Sequence, residues 1–209
     1  MEIGALWRRF PVSRGARVWY VDRSDGEDLN QHYPELSGSA LRPNLLADAA
    51  QLPVRPGGLD FLIVSHVLEH LRFPLQALRS WYQTLAPGGA LLLKVPDKRY
   101  SFDNQRARTS LTHLIEEHER PDRFDNRSHY ADWLHFVGKG QDPDAPAFED
   151  AVRDLVNQDY SIHFHVWIDE DIREIVEFTR QAWGFDWKPE VFWRARIYRK
   201  EITAVLRRK

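Results

Sequence analysis

The chain has 209 residues, enough for one sizeable α/β domain and short for two. Its 29 Lys and Arg nearly balance 31 Asp and Glu, for a net charge of -2, so no electrostatic signal points to a nucleic-acid partner. The absence of cysteine excludes disulfides, thiolate metal sites and thiol nucleophiles, and no apolar run approaches the ~20 residues of a membrane span.

Met1 to Ala5 reads as the end of a strand that starts at the first residue, and so as a clipped strand, turning at Gly4. Trp7-Arg8-Arg9-Phe10 breaks any signal-peptide core, so a cytoplasmic location and no membrane partner are expected. Ala16 to Asp22 is a second strand by its β-branched and aromatic content. Asp22 stands at its carboxyl end, where nucleoside-binding α/β folds hydrogen-bond ribose hydroxyls, about 20 residues after the glycine turn. The plainer reading is that Asp22 opens the turn at Ser24-Asp25-Gly26. A short helix is expected over 25–33 and a loop over 36–43. Leu45 begins a short third strand ending at Asp48, a residue that also suits a helix N-cap.

The most informative stretch follows. Phe61 to Val64 and Ala90 to Val95 are apolar runs without alternation, as in parallel strands covered on both faces. Between them Leu75, Leu78, Trp81, Tyr82 and Leu85 recur at helical spacing, and Pro87-Gly88-Gly89 stops the helix. This is a βαβ unit. The run Leu59-Asp-Phe-Leu-Ile-Val-Ser-His-Val-Leu-Glu-His-Leu71 followed by Leu85-Ala-Pro-Gly-Gly-Ala-Leu-Leu-Leu-Lys-Val-Pro-Asp97 resembles the core of the class I S-adenosylmethionine-dependent methyltransferases of the methyltransferase-11/23 type.

That resemblance implies a Rossmann-like α/β fold, with a mostly parallel seven-stranded sheet, helices on both faces and an antiparallel last strand. It implies S-adenosylmethionine as cofactor. Glu2 and Gly4 match the family's acidic residue and first glycine, while Ala5-Leu6-Trp7 lacks the later glycines. Asp48 falls where the family's acidic residue reaches the adenine amino group, with the backbone of Ala49 against the ring. Ser65 and His66 fall in the loop that touches the methionine part and faces the acceptor. The same letters His66, Glu69 and His70 also spell the H-x-x-E-H pattern of a zinc hydrolase, which belongs on a long helix.

Residues 98–159 are too long for a connector and are expected to form an inserted helical lid, with helices near 110–118, 130–137 and 148–155 and a loop over 138–146. Histidines 113, 118, 129 and 135 in this stretch are taken as solvated side chains. Tyr160 to Trp167 alternates, so an extended chain would put His163, His165 and Trp167 on one face and Ile162, Phe164 and Val166 on the other. The histidine face is expected at the rim of the site. His165 and His163 are the leading candidate bases, since neutral imidazole takes a proton near pH 7, ahead of Asp97 and Tyr100. No metal is expected there, because no third ligand is marked. Asp169 is read as the cap of a helix ending at Gly184, and 188–197 and 201–206 as a closing hairpin. The expected reaction is methyl transfer to an oxygen or nitrogen of a small-molecule acceptor. The alternative is a methyltransferase-like fold that binds without catalysis.

Overall fold

The computed structural model describes residues 1–25, 27, 40–138 and 141–209. The helix expected over 25–33 and the start of the loop over 36–43 fall largely outside them. Seven strands form one sheet: β1 (Glu2–Ile3), β2 (Tyr20–Asp22), β3 (Leu45–Leu46), β4 (Leu59–Ser65), β5 (Leu85–Pro96), β6 (Trp187–Trp193) and β7 (Glu201–Arg208). Their order is β3-β2-β1-β4-β5-β7-β6. The first five are parallel, and β7 runs antiparallel to both β5 and β6. The expected α/β architecture is therefore present.

Leu62, Val64, Leu91, Leu93 and Val95 are fully buried, which is why these central strands carry no polar alternation. The Pro-Gly-Gly turn lies inside β5 rather than before it. Leu59 pairs with Leu85 and Phe61 with Ala90, so residues 86–89 loop out against a single β4 residue. A Cβ on Gly89 would stand 2.8 Å from the Ala86 carbonyl oxygen, so this bulge needs glycine. The closing hairpin turns at Ile197-Tyr198, flanked by two backbone hydrogen bonds between Arg196 and Arg199.

Helix α1 (Pro74–Thr84) starts on proline and lays Leu75, Leu78 and Trp81 on the sheet. Trp81 is completely buried, and its indole Nε1 donates to the Ala49 carbonyl at 2.7 Å, pinning the loop after β3. Helices α2 (Leu111–Glu119), α3 (Arg127–Phe136) and α4 (Phe148–Asn157) follow β5. Tyr130, Leu134, Phe148 and Val152 form a small apolar cluster of their own, together with Ile162 and Phe164.

Helix α5 (Asp169–Trp183) buries Ile172, Ile175 and Val176 and ends on Gly184 at φ 68°. Asp169 is its first residue rather than its cap. Asp171 reaches back to the Ile168 N–H at 2.8 Å, leaving Asp169 to an ion pair with Arg99 at 2.6 Å.

The stretch before α5 departs from the two-faced strand expected over 160–167. Only Trp167 makes a β-bridge, to Asp97. Every residue from Ile162 to Ile168 is buried. Ile162 and Phe164 enter the small cluster and Trp167 the main core, so this segment stitches the two together and has no solvent face. Trp81→Ala is expected to cost about 3–5 kcal/mol, with the m-value unchanged, as read by equilibrium denaturant unfolding.

Candidate active site

The strand register assembles a row of side chains along the carboxyl edge of the sheet. Ile3 pairs with Val21 on one side and Val64 on the other, so the next residues, Gly4, Asp22 and Ser65, end three adjacent strands. Asp22 in turn pairs with Leu46, two residues before Asp48. The order of strands reverses at β1, between β2 and β4, and ligands of open α/β sheets bind at such a switch.

Gly4 has φ 67°, and a Cβ there would lie 2.7 Å from Val67 Cγ2. Only glycine permits this close approach between the β1 turn and the loop after β4. Leu6, at φ 48°, takes the left-handed conformation within a loop that lacks further glycines. The buried Glu2 carboxylate accepts from the Phe10 N–H with both oxygens, at 3.0 and 3.1 Å, and holds that loop down. Asp22 is half-buried, and burial pushes its carboxyl up despite the hydrogen bond from the Arg23 N–H. Asp48 is exposed, accepts from the Ala50 N–H at 2.7 Å, and precedes the Ala49 carbonyl fixed by Trp81. A glycine cradle flanked by two carboxylates and Ser65 fits a nucleoside with a charged amino-acid arm.

His66 closes the row. It is a non-glycine residue at φ 56°, a strained conformation often found at functional sites. Its Nδ1 lies 3.3 Å from Glu69 and its Nε2 3.1 Å from Glu201 on β7, which also pairs with Lys94 at 2.8 Å. The Glu69 carboxylate beside it lifts the imidazole above its ordinary range against the effect of burial, and Glu201 adds to the lift. His70 instead presents Nδ1 to the Ile162 carbonyl at 2.8 Å. Of the H-x-x-E-H letters only Leu68–His70 form a 3-10 turn, His66 lies before it, and the two histidines are engaged by different elements. The long helix of a zinc hydrolase is not formed.

A family described as a methyltransferase domain matches residues 10–138, more than half of the chain. The chain belongs to the class I S-adenosylmethionine-dependent methyltransferases. Its cofactor is S-adenosylmethionine. No curated protein matches it. Among solved structures, a Rhodobacter sphaeroides protein described as a candidate Zn-dependent alcohol dehydrogenase is 16% identical at TM-score 0.54, covering 94% of this chain and 77% of that one. A Haloferax volcanii protein assigned as a methyltransferase, in complex with the Trm112 methyltransferase activator, is 10% identical at TM-score 0.50, covering 99% and 80%. An Aquifex aeolicus SAM-dependent methyltransferase is 9% identical at TM-score 0.49, covering 100% and 80%. At these identities the likeness to the first two shows the fold alone.

The four candidate bases of the methyltransferase stand in different surroundings. Asp97 is fully buried, and its carboxylate takes both Nε and a terminal nitrogen of Arg99, at 2.9 and 2.5 Å. Tyr100 packs half-buried against the main core. His165 is 1% exposed, burial pushes it down to about 3, and it stacks on Trp167. His163 presents Nδ1 to Asp103 Oδ2 at 2.7 Å, and Asp103 is held by Arg106 at 2.9 Å. Arg106 also donates to the His163 carbonyl at 2.8 Å.

The sequence reading passed over Asp103, Arg106 and Glu117, and weighed Glu69 only as part of the H-x-x-E-H letters. Glu69 and Glu117 are buried with carboxylate oxygens lacking a hydrogen-bond partner. A pair one helical turn apart, His113 and Glu117, was the available signal for the last of these. His129, expected in solvent, is buried, and the described residues group into two possible metal-ligand clusters.

The His66 pairing sets a pH signature. His66 is raised in the fold, so its contribution is full below the unfolded imidazole value and is lost as pH rises through the elevated one. Glu201 is depressed by Lys94 and His66 against burial, so its part is lost as pH falls below the usual carboxylate range. The stability gap between wild type and His66→Gln is therefore expected to be widest between about pH 4.5 and 6.5 and to narrow above it, as measured by denaturant unfolding across pH.

Proposed function

We propose that this methyltransferase acts on an oxygen or nitrogen of a small-molecule acceptor, enclosed between the row Gly4, Asp22, Asp48, Ser65 and the segment 98–159 acting as a helical lid. Bound S-adenosylmethionine supplies a methyl carbon already activated by its sulfonium, so the protein's task is alignment, exclusion of water and removal of the acceptor's proton. Asp22 accepts from the ribose hydroxyls, and Asp48 with the Ala49 backbone receives the adenine edge. Glu2 orders the loop that meets the cofactor, and Ser65 and His66 line the end facing the acceptor.

The observation that carries the reading is the pair Asp103–His163. The carboxylate at 2.7 Å fixes the tautomer with the proton on Nδ1, which leaves the Nε2 lone pair to take a proton from the acceptor. Arg106 holds both the carboxylate and the His163 backbone, so the base is oriented from two sides. His163 stacks against Phe102, which is 59% exposed, and so stands where buried structure meets an accessible apolar surface. Asp97, clamped by Arg99, and His165, enclosed among other imidazoles, act on this reading as positioning residues, and Tyr100 as a wall of the pocket.

Methyl-labelled S-adenosylmethionine incubated with a fractionated cell extract tests the acceptor class. Label is expected in the low-molecular-weight fraction, and label confined to protein or nucleic acid would overturn it. In the same assay His163→Gln is expected to slow turnover about 10²- to 10⁴-fold with cofactor affinity unchanged. Undiminished turnover would remove His163 from the role of base.

A further inference from the structure

Four side chains from three separate stretches meet beneath the helices that follow β5. His113 and Glu117 lie one turn apart on α2, His129 comes from α3, and His165 from the buried segment before α5. One ligand atom from each lies within 4.8 Å of the others. Glu117 Oε1 is 2.8 Å from His129 Nε2 and 3.1 Å from His113 Nε2, and Glu117 Oε2 is 3.6 Å from His165 Nε2. Ligand atoms around a tetrahedral ion with bonds of ~2.0–2.1 Å stand about 3.3 Å apart, so the 2.8 and 3.1 Å contacts of Glu117 Oε1 would open by a few tenths of an ångström around an ion.

The hydrogen-bond arithmetic points the same way. His129 Nδ1 faces the Phe164 carbonyl at 3.0 Å, and a carbonyl only accepts. The proton of a neutral His129 is therefore on Nδ1, and its Nε2 lone pair meets a carboxylate oxygen at 2.8 Å. Two acceptors in contact need a positive charge between them, either the second proton of an imidazolium or a metal ion. The imidazole N–H held by a backbone carbonyl is also the outer-shell arrangement that orients a metal-bound histidine. Glu117 Oε2 and His165 Nδ1 are two buried atoms with no hydrogen-bond partner, in residues only 1% exposed, while His165 Nε2 faces the Arg72 carbonyl at 3.3 Å and so carries the ring proton, leaving Nδ1 as its free lone pair. Three imidazole rings with centroids 5.1 to 6.0 Å apart surround the single carboxylate.

We propose that His113, Glu117, His129 and His165 form a site for one divalent first-row transition ion of the zinc class, which ties α2 and α3 to the segment leading into α5. Imidazole nitrogens with a carboxylate oxygen suit such an ion better than magnesium or calcium, which prefer oxygen ligands. Four protein ligands make a closed set, the pattern of a structural ion rather than one that binds and activates water. The site thereby anchors the segment that carries His163, the partner of Asp103, and it stands whether or not the assignment of the acceptor does.

Full-length protein stripped with a chelator and then dialysed against zinc tests this by elemental analysis and thermal unfolding. The wild type is expected to retain one zinc per chain and to melt higher than its stripped form. Glu117→Ala and His129→Ala are expected to lose the ion and show no further drop on stripping. His113→Ala, at the half-exposed position, serves where those buried variants fail to fold. Cobalt loaded into the wild type is expected to give visible absorption of tetrahedral form, absent in His113→Ala, while His163→Gln keeps its metal. A wild-type chain that takes up no zinc and whose melting is unmoved would overturn the proposal. So would zinc retained at full stoichiometry by both His113→Ala and His129→Ala.

Discussion

The close approach of Gly4 to Val67 is the constraint on which the site depends. With the Cβ position 2.7 Å from Val67 Cγ2, the turn after β1 and the loop after β4 can meet only because residue 4 has no side chain. The parallel register then brings Asp22 and Ser65 to either side of that turn, and His66 takes its left-handed conformation at the same edge. A cofactor site built this way is a property of strand ends, with one glycine giving the backbone the room it needs.

Above this edge the chain buries several charges, and each carries consequences. Arg99 joins Asp97 to Asp169, linking the end of β5 to the start of α5. Arg106 joins Asp103 to Asp132 and to the carbonyls of the segment before α5. Removing one partner of the Asp103–Arg106 pair, buried on both sides, leaves an uncompensated charge at a cost of about 3–5 kcal/mol, whereas an intact pair adds little net stability. These pairs are better understood as registration. They hold the chain that follows β5 against the start of α5 and against the segment before it, where Asp103 meets His163.

The strands were legible because burial on both faces writes itself as an apolar run. Phe61 to Val64 and Ala90 to Val95 read correctly, as did the amphipathic helices around Trp81 and Ile175. The stretch 160–167 misled because alternation normally marks one wet face and one dry face. Here the histidine side is covered too, by side chains from α2 and α3 that lie 30 to 50 residues earlier in the chain. Hydropathy is blind to such cover, since a histidine enclosed by Glu117 and other imidazoles has the same letter as one in water. The contacts of Asp103 and Arg106 with His163 were invisible for the same reason, because they join residues distant in sequence. Asp103 with Arg106, three residues apart, and His113 with Glu117, four apart, carried a local sign of their meeting.

The central claim is that the strand-end row beside Gly4 holds S-adenosylmethionine. Isothermal titration of the full chain with S-adenosylmethionine and with its demethylated product tests it most directly. Each is expected to bind with one molecule per chain, and Gly4→Ala is expected to weaken both by a similar factor, because the added Cβ reshapes the turn under the shared nucleoside. Absence of binding by either ligand, or full affinity in the Gly4→Ala chain, would contradict the account.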